Sequence, residues 1–207
     1  MGDSCFAGCL GLTSIEIPKV TSLYGACFST CESLTSIKLP EATSLGNQCF
    51  YECIALTSIE IPKATSLGEQ CFSDCKALTS IELPEATSLG TYCFYQCKNL
   101  TSIELPKATT LGSGCFYYCT SLTSIELPEV TSLDNQCFGY CSRLTSIIFG
   151  GSQKPISDTS NFNTEALKNS SITALDLIIY VSDSSNPPTL TGIPWGASYA
   201  TIIYEQA

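Results

Sequence analysis

The sequence predicts a solenoid of the α/β type, mostly β. It should hold about seven coils of 22 residues, with a parallel sheet along one face, followed by a divergent C-terminal cap. Three observations carry that expectation. Fourteen cysteines fall into two columns with a period of 22: Cys5, Cys27, Cys49, Cys71, Cys93, Cys115 and Cys137, then Cys9, Cys31, Cys53, Cys75, Cys97, Cys119 and Cys141. A phenylalanine follows the first cysteine of every unit from Phe6 to Phe138, and Leu12 and Ile15 recur with the same period as far as Leu144 and Ile147. Proline returns at one place in six units, from Pro18 to Pro128. A repeat of this length cannot bury its own apolar face, so stacked neighbours must build the core.

Each element of the unit follows from its residues. Leu12-Thr-Ser-Ile15-Glu-Ile17 spaces its apolar side chains as Leu-x-x-Leu-x-Leu, and Ile15, Glu16 and Ile17 alternate inward and outward as a half-buried strand does. Pro18 donates no ladder hydrogen bond and marks a corner. Val20-Thr-Ser-Leu23 is a second short extended piece. Gly46, Gly68, Gly90 and Gly112 are expected to turn the chain with positive φ, a conformation that Asp134 tolerates in their place. Cys-Phe-x-x-Cys is too short for a full helix and is expected to form one helical or 3₁₀ turn.

Two segments result. Residues 1–149 form the repeat solenoid, and 150–207, where the cysteines stop and the register is lost, hold divergent repeats and the C-terminal cap. In the second segment Ser160–Lys168 reads as a short capped helix, and Leu175–Val181 and Thr201–Tyr204 read as strands. Trp195 is expected to cover apolar surface. At the other end Met1-Gly-Asp-Ser runs straight into Cys5, so the first coil is expected either to follow further sequence of a longer exported protein or to present an uncapped face open to self-association.

The paired cysteines admit three readings. A helical turn would set their Cα atoms ~6 Å apart, within the ~4.4–6.8 Å that a disulfide spans. Both side chains, however, should point inward beside Phe6 and Leu12, and so short a loop gains little from closure. Structural zinc wants two pairs converging on one point, whereas these pairs form a line. Two ladders of buried, reduced thiols, acting as small hydrophobes, are the favoured reading.

Composition excludes much chemistry. Histidine is absent, which removes Ser-His-Asp and Cys-His machinery and the HExxH zinc site. Arg143 is the single arginine, and 9 cationic against 19 acidic residues give a net charge of −10, which argues against nucleic acid. No run of 18 apolar residues suggests a transmembrane segment. No cofactor, metal or catalytic residue is expected, and the chain reads as a non-enzyme.

The unit Leu-Thr-Ser-Ile-x-Leu-Pro-x-x-Thr-Ser-Leu-Gly-x-x-Cys-Phe-x-x-Cys resembles the BspA-type, or Treponema pallidum-type, leucine-rich repeat of bacterial surface proteins, over about seven consecutive units. The family unit carries Ala-Phe-x-x-Cys, so Cys9 and its equivalents match while Cys5 and its equivalents replace a small residue. Asn186–Leu190 and Ala200–Tyr204 resemble the family's endings. The resemblance implies a right-handed leucine-rich repeat coil, display on the cell surface or secretion, and adhesion to a host or cell-surface protein or glycan.

In a solenoid, function falls to the outward positions. Glu60, Glu82, Glu104 and Glu126 follow Glu16 and Lys38 at the outward place of the strand, where four carboxylates should stand ~5 Å apart on one sheet. They form either a solvated face or an acidic stripe for a basic partner or for calcium, though calcium wants six to eight oxygens around one point and a line of single carboxylates does not converge. After the prolines the order Lys19, Glu41, Lys63, Glu85, Lys107, Glu129 alternates in sign, as a register-setting ladder would. Between the paired cysteines, Tyr95, Tyr117, Tyr118 and Tyr140 gather toward the C-terminal half. Tyrosine is enriched at recognition surfaces, so these four and the four glutamates are the candidate contact residues. The expected function is a recognition and adhesion scaffold. A structural spacer or stalk projecting another domain is the alternative, and a thiol-based metal or redox array is less favoured.

Overall fold

The computed structural model of the chain describes residues 1–150, 175–181 and 200–206. Six strands precede the proline corners, β1 (Ser14–Glu16), β3 (Ser36–Lys38), β5 (Ser58–Glu60), β7 (Ser80–Glu82), β9 (Ser102–Glu104) and β11 (Ser124–Leu127), and β13 (Ser146–Phe149) holds the same place in the next coil. Between them lie the second strands of the coils: β2 (Ser22–Leu23), β4 (Ser44–Leu45), β6 (Ser66–Leu67), β8 (Ser88–Leu89), β10 (Thr110–Leu111) and β12 (Ser132–Leu133). Every pairing among these strands is parallel, with a register of one repeat, as in Ser14↔Ser36 and Leu45↔Leu67. The second strands form one continuous six-stranded sheet.

The third side of each coil is the cysteine segment, and it departs from the expected helical turn. The residue before each cysteine is left-handed: Ala26, Gln48, Gln70 and Tyr92 before the first, and Thr30, Glu52, Asp74, Gln96, Tyr118 and Tyr140 before the second, all with φ between 53° and 63°. A left-handed residue ends a right-handed helix before it can propagate. The segment is therefore a pair of tight turns, closed by bonds such as Cys31 N–H to Phe28 O at 3.2 Å. The amides that point along the stack instead donate to the next coil, as Phe28 N–H does to Cys49 O at 2.8 Å.

The core is a set of columns. Phe6 to Phe138 stack ring on ring with centroids 5.1 to 5.5 Å apart and planes within 7° of parallel. Beside them run columns of buried leucine, isoleucine and alanine, from Leu34, Ile37 and Ala42 onward. In the first coil the equivalents Phe6, Leu12 and Ile15 are half-buried.

Gly46, Gly68, Gly90 and Gly112 do not show the positive φ expected of them. What glycine supplies is closeness: a Cβ on Gly90 would meet Gly68 C at 2.6 Å, and one on Gly112 would meet Thr91 N at 2.7 Å. The first coil has Tyr24 in that column, 61% exposed.

Threonine closes the coils on both strand sides. Thr35, Thr57 and Thr101 each donate both N–H and Oγ1–H to the carbonyl of the threonine one coil earlier, at 2.8 to 3.0 Å. Thr43, Thr65, Thr87, Thr109 and Thr131 do the same on the second side.

The sheet before the prolines, in contrast to the expected single sheet, is broken into three: β1-β3-β5, then β7-β9, then β11-β13 continuing into β14 (Leu175–Val181) and β15 (Ala200–Gln206). Those last two strands bear out the extended readings of Leu175–Val181 and Thr201–Tyr204. The helix read at Ser160–Lys168 and the position of Trp195 lie outside the described residues.

Candidate functional site

The tyrosines expected at the contact surface are brought together. Tyr95 and Tyr117 stack with centroids 6.0 Å apart, Tyr118 and Tyr140 stack at 4.5 Å, and Tyr117 meets Tyr118 edge to face at 5.0 Å. Tyr92, which sequence reasoning missed, joins them through an edge contact to Tyr95 at 5.4 Å. It precedes the first cysteine of its coil, a place the sequence marks only by its side-chain variety. Five half-buried phenols from three successive coils thus make one ridge outside the core.

The backbone beneath this ridge makes the residue choice informative. Tyr92, Tyr118 and Tyr140 have φ of 54°, 63° and 58°. A bulky L-residue is disfavoured there by ~1–2 kcal/mol, and Gly or Asn is the easier occupant. Tyr118 and Tyr140 share their column with Gly8 (φ 70°) and with Thr30, Glu52, Asp74 and Gln96, which hold the same left-handed backbone, whereas Tyr92 belongs to the column before the first cysteine. Burial, followed by the neighbouring Tyr140, raises the Tyr117 phenol above its ordinary pKa, so it is a hydrogen-bond donor at neutral pH.

The glutamates are exposed as expected, but they are not one evenly spaced row. Glu82 and Glu104 are register partners on β7 and β9. Glu60 faces Lys38, with Nζ 3.4 Å from Oε2. No strand pairing joins β5 to β7 or β9 to β11 among the described residues, so breaks separate Glu60 from Glu82 and Glu104 from Glu126. A cleft of about 280 Å³ lies at the first break, lined by Ile59, Glu60, Pro62, Ile81, Glu82 and Pro84. One of about 330 Å³ lies at the second, lined by Ile103, Glu104, Pro106, Ile125, Glu126 and Pro128.

The alternating charges after the prolines pair in twos. Lys63 binds Glu41 and Lys107 binds Glu85, each with Nζ 2.7 Å from Oε2. Each lysine turns to the glutamate of the preceding coil, which bears out opposite neighbours and corrects the idea of an unbroken ladder.

All fourteen cysteines are free thiols, buried from Cys27 onward. The second column also bonds coil to coil. Cys31, Cys53, Cys75, Cys97, Cys119 and Cys141 each donate Sγ–H to a phenylalanine carbonyl of the coil before, at 3.0 to 3.2 Å. Burial pushes the Cys27 thiol up to about 11 and those of Cys49, Cys53 and Cys137 to about 12. A thiol so far from ionising is a poor nucleophile and a poor metal ligand at neutral pH. Among the described residues no group of three or more Cys, Asp or Glu converges as a metal site would require.

A parallel solenoid with a Leu-x-x-Leu-x-Leu strand in every coil, carrying phenols and carboxylates on its outer faces, defines a leucine-rich repeat scaffold. The chain belongs to the BspA type leucine-rich repeat family, whose model matches residues 1–88 and 65–183 in 6 copies. This is a repeat family whose members serve generally as scaffolds for protein interaction and are typically non-enzymatic. Among curated proteins, none matches the sequence. Among solved structures, the chain is similar to a leucine-rich cell surface protein of Faecalibacterium prausnitzii, with 23% identity, a TM-score of 0.52 and 89% of this chain covered. The chain spans 64% of that protein's length. It is also similar to the Treponema pallidum leucine-rich repeat protein, with 19% identity, a TM-score of 0.47 and coverage of 93% and 72% of the two chains. A leucine-rich repeat protein of Bacteroides ovatus shows 17% identity, a TM-score of 0.47 and coverage of 100% and 87%. No helix among the described residues is long and apolar enough to cross a membrane.

Proposed function

We propose that this chain is a non-catalytic recognition and adhesion module, exported to the cell surface or secreted, that binds a protein partner through the tyrosine ridge. The observation that supports this reading is the gathering of Tyr92, Tyr95, Tyr117, Tyr118 and Tyr140, from three successive coils, into one continuous set of ring contacts outside the core. The rings stack and meet face to edge, so part of each ring face is covered by its neighbour. Stacking on a sugar needs an open face, whereas a protein partner uses edges and hydroxyls equally well. That favours a protein over a glycan.

The test is binding to an array of host matrix proteins, surface proteins and glycans, with the unaltered chain and with Tyr95→Ala, Tyr117→Ala and Tyr118→Ala combined. Capture of a protein that the triple variant loses, with its circular dichroism unchanged, is the expected result. Equal capture by both forms sinks the ridge as the contact surface, and capture of nothing favours the spacer reading.

A further inference from the structure

The two clefts on the strand side repeat each other in their lining, although Glu60 at the first is also paired with Lys38, Nζ 3.4 Å from Oε2. Each has one glutamate on either lip, Glu60 and Glu82 at the first, Glu104 and Glu126 at the second, and each has isoleucine and proline in its walls. Each also coincides with a gap in the cross-coil bonding. Thr57 N–H reaches Thr35 O at 2.9 Å, Thr101 N–H reaches Thr79 O at 2.9 Å and Leu39 N–H reaches Glu60 O at 2.9 Å. Across the two breaks, among the described residues, no equivalent bond joins Thr79 to Thr57, Ile61 to Glu82, Thr123 to Thr101 or Leu105 to Glu126. The second-strand side and the cysteine side stay closed at the same junctions, as in Thr87 N–H to Thr65 O at 2.9 Å and Phe72 N–H to Cys93 O at 2.8 Å. The opening is thus a local splay of one face.

Such a cleft suits one long cationic side chain. Its volume lies at the lower end of what small-ligand sites occupy, its walls fit an aliphatic stem, and its two carboxylate lips fit a planar guanidinium that can hydrogen-bond on both edges. The spacing of the clefts then specifies the partner's backbone. They are two coils apart, which at ~4.8 Å per coil is ~10 Å. A polyproline II segment completes a turn in three residues and rises ~3.1 Å per residue, so side chains at i and i+3 project from one side ~9.3 Å apart. A β-strand places same-side residues at ~6.6 or ~13 Å, which misses both clefts. An α-helix matches the distance at i and i+7, but its ~10–12 Å girth needs a groove. Between the clefts stands the closed β7–β9 pair, a ridge that a thin extended chain can cross.

We propose that the two clefts form a twin receptor for a basic polyproline II segment of a partner protein, with arginines at i and i+3 entering one cleft each. The site deepens the recognition reading by naming a second surface and a partner chemistry. It depends on the chain being a binding scaffold but not on the tyrosine ridge.

The test uses fluorescent proline-rich peptides carrying two arginines at i and i+3, at i and i+2, or at i and i+4, a single-arginine peptide, and an alanine-rich helical peptide with arginines at i and i+7. Titration follows anisotropy with the chain bearing Tyr95→Ala, Tyr117→Ala and Tyr118→Ala, so that failure of the ridge and failure of the clefts are read separately. The i, i+3 peptide should bind on the order of tenfold more tightly than the single-arginine peptide, because the second contact is intramolecular. Glu60→Gln with Glu82→Gln, or Glu104→Gln with Glu126→Gln, should each erase that advantage. Affinity that follows arginine number regardless of spacing, or tighter binding of the helical peptide, overturns the proposal. The spacing series on chain with all four glutamates intact decides the matter even where a glutamine variant folds poorly.

Discussion

Lys107 reaches back one coil to Glu85, its Nζ 2.7 Å from Oε2, and that contact spans the one glutamate-facing junction of the strand face that stays closed. Glutamate faces glutamate at three junctions: 60 to 82, 82 to 104 and 104 to 126. The middle one carries the Glu85–Lys107 clamp and pairs as β7–β9, whereas the outer two split. Two exposed carboxylates ~5 Å apart repel by ~1–3 kcal/mol, and an exposed ion pair returns ~0.2–1 kcal/mol. Terms of this size can decide whether a short pair of strands closes. Amide exchange should therefore be slow at Thr57, Leu39, Leu83 and Thr101 and fast at Thr79, Ile61, Thr123 and Leu105. Lys107→Gln should speed exchange at Thr101 and Leu83 while leaving Thr57 unchanged. Uniform protection across all the junctions would count against the splayed face.

Gly90 sits where a neighbouring backbone fills the space of a side chain, so Gly90→Ala should be costly although alanine suits the local φ. The added Cβ would lie 2.6 Å from Gly68 C, and backbone on both sides cannot retreat without shifting a coil. A loss of about 2–3 kcal/mol in chemical denaturation is expected. Tyr24→Ala, in the same column of the first coil, should change stability by under about 1 kcal/mol, since that side chain is largely exposed. A small effect at Gly90 would mean that the stack yields to an added Cβ and that close approach is not what requires glycine there.

The period of the sequence makes the core legible because identical places have identical neighbours. Phe6, Leu12, Ile15 and the cysteines can be assigned inward from spacing alone. The glycine column misleads because a sequence shows which residue turns easily and does not show how near the next coil lies. The threonine columns at Thr13 and Thr21 are visible as repeats, but their double donation becomes apparent only when coils are stacked in register. The tyrosine ridge is legible because residues between paired cysteines stack coil on coil. Tyr92 escapes because it belongs to a different column. The breaks beside Glu60 and Glu104 depend on which glutamate each lysine chooses, a choice the alternating pattern leaves open.

Tyr118 offers a separation of surface from fold. Tyr118→Asn relieves ~1–2 kcal/mol of left-handed backbone cost and forfeits three ring contacts, to Tyr95, Tyr117 and Tyr140, at ~0.5–1.5 kcal/mol each. The backbone gain offsets part of that loss, so the net destabilisation should stay under about 3 kcal/mol. Partner binding through the ridge should fall severalfold. A larger loss of stability would instead mark Tyr118 as a structural part of the coil.

The thiol columns tie stability to alkaline pH, and the sign follows from burial. Burial raises the folded-state thiols of Cys27 to about 11 and of Cys49, Cys53 and Cys137 to about 12, and it also raises those of Cys71, Cys75, Cys97, Cys115 and Cys119. In the unfolded chain these groups ionise near the ordinary value of 9.0. Above that pH the unfolded chain binds fewer protons than the folded one, so stability falls as pH rises; below it the contribution is fully present. Each such thiol removes up to ~1.4 kcal/mol per pH unit, and a domain holds ~5–15 kcal/mol in all. Several thiols acting together exhaust that within one or two units, before the folded-state values are reached. The coil should therefore unfold in one steep step above pH 9, with thiolate absorbance rising and circular dichroism falling at the same midpoint. At neutral pH a thiol reagent should label exposed Cys5 readily and the buried columns only in denaturant. Thiolate absorbance that grows near pH 9 while the dichroism persists would show that the columns are open to solvent and that burial does not hold their protons.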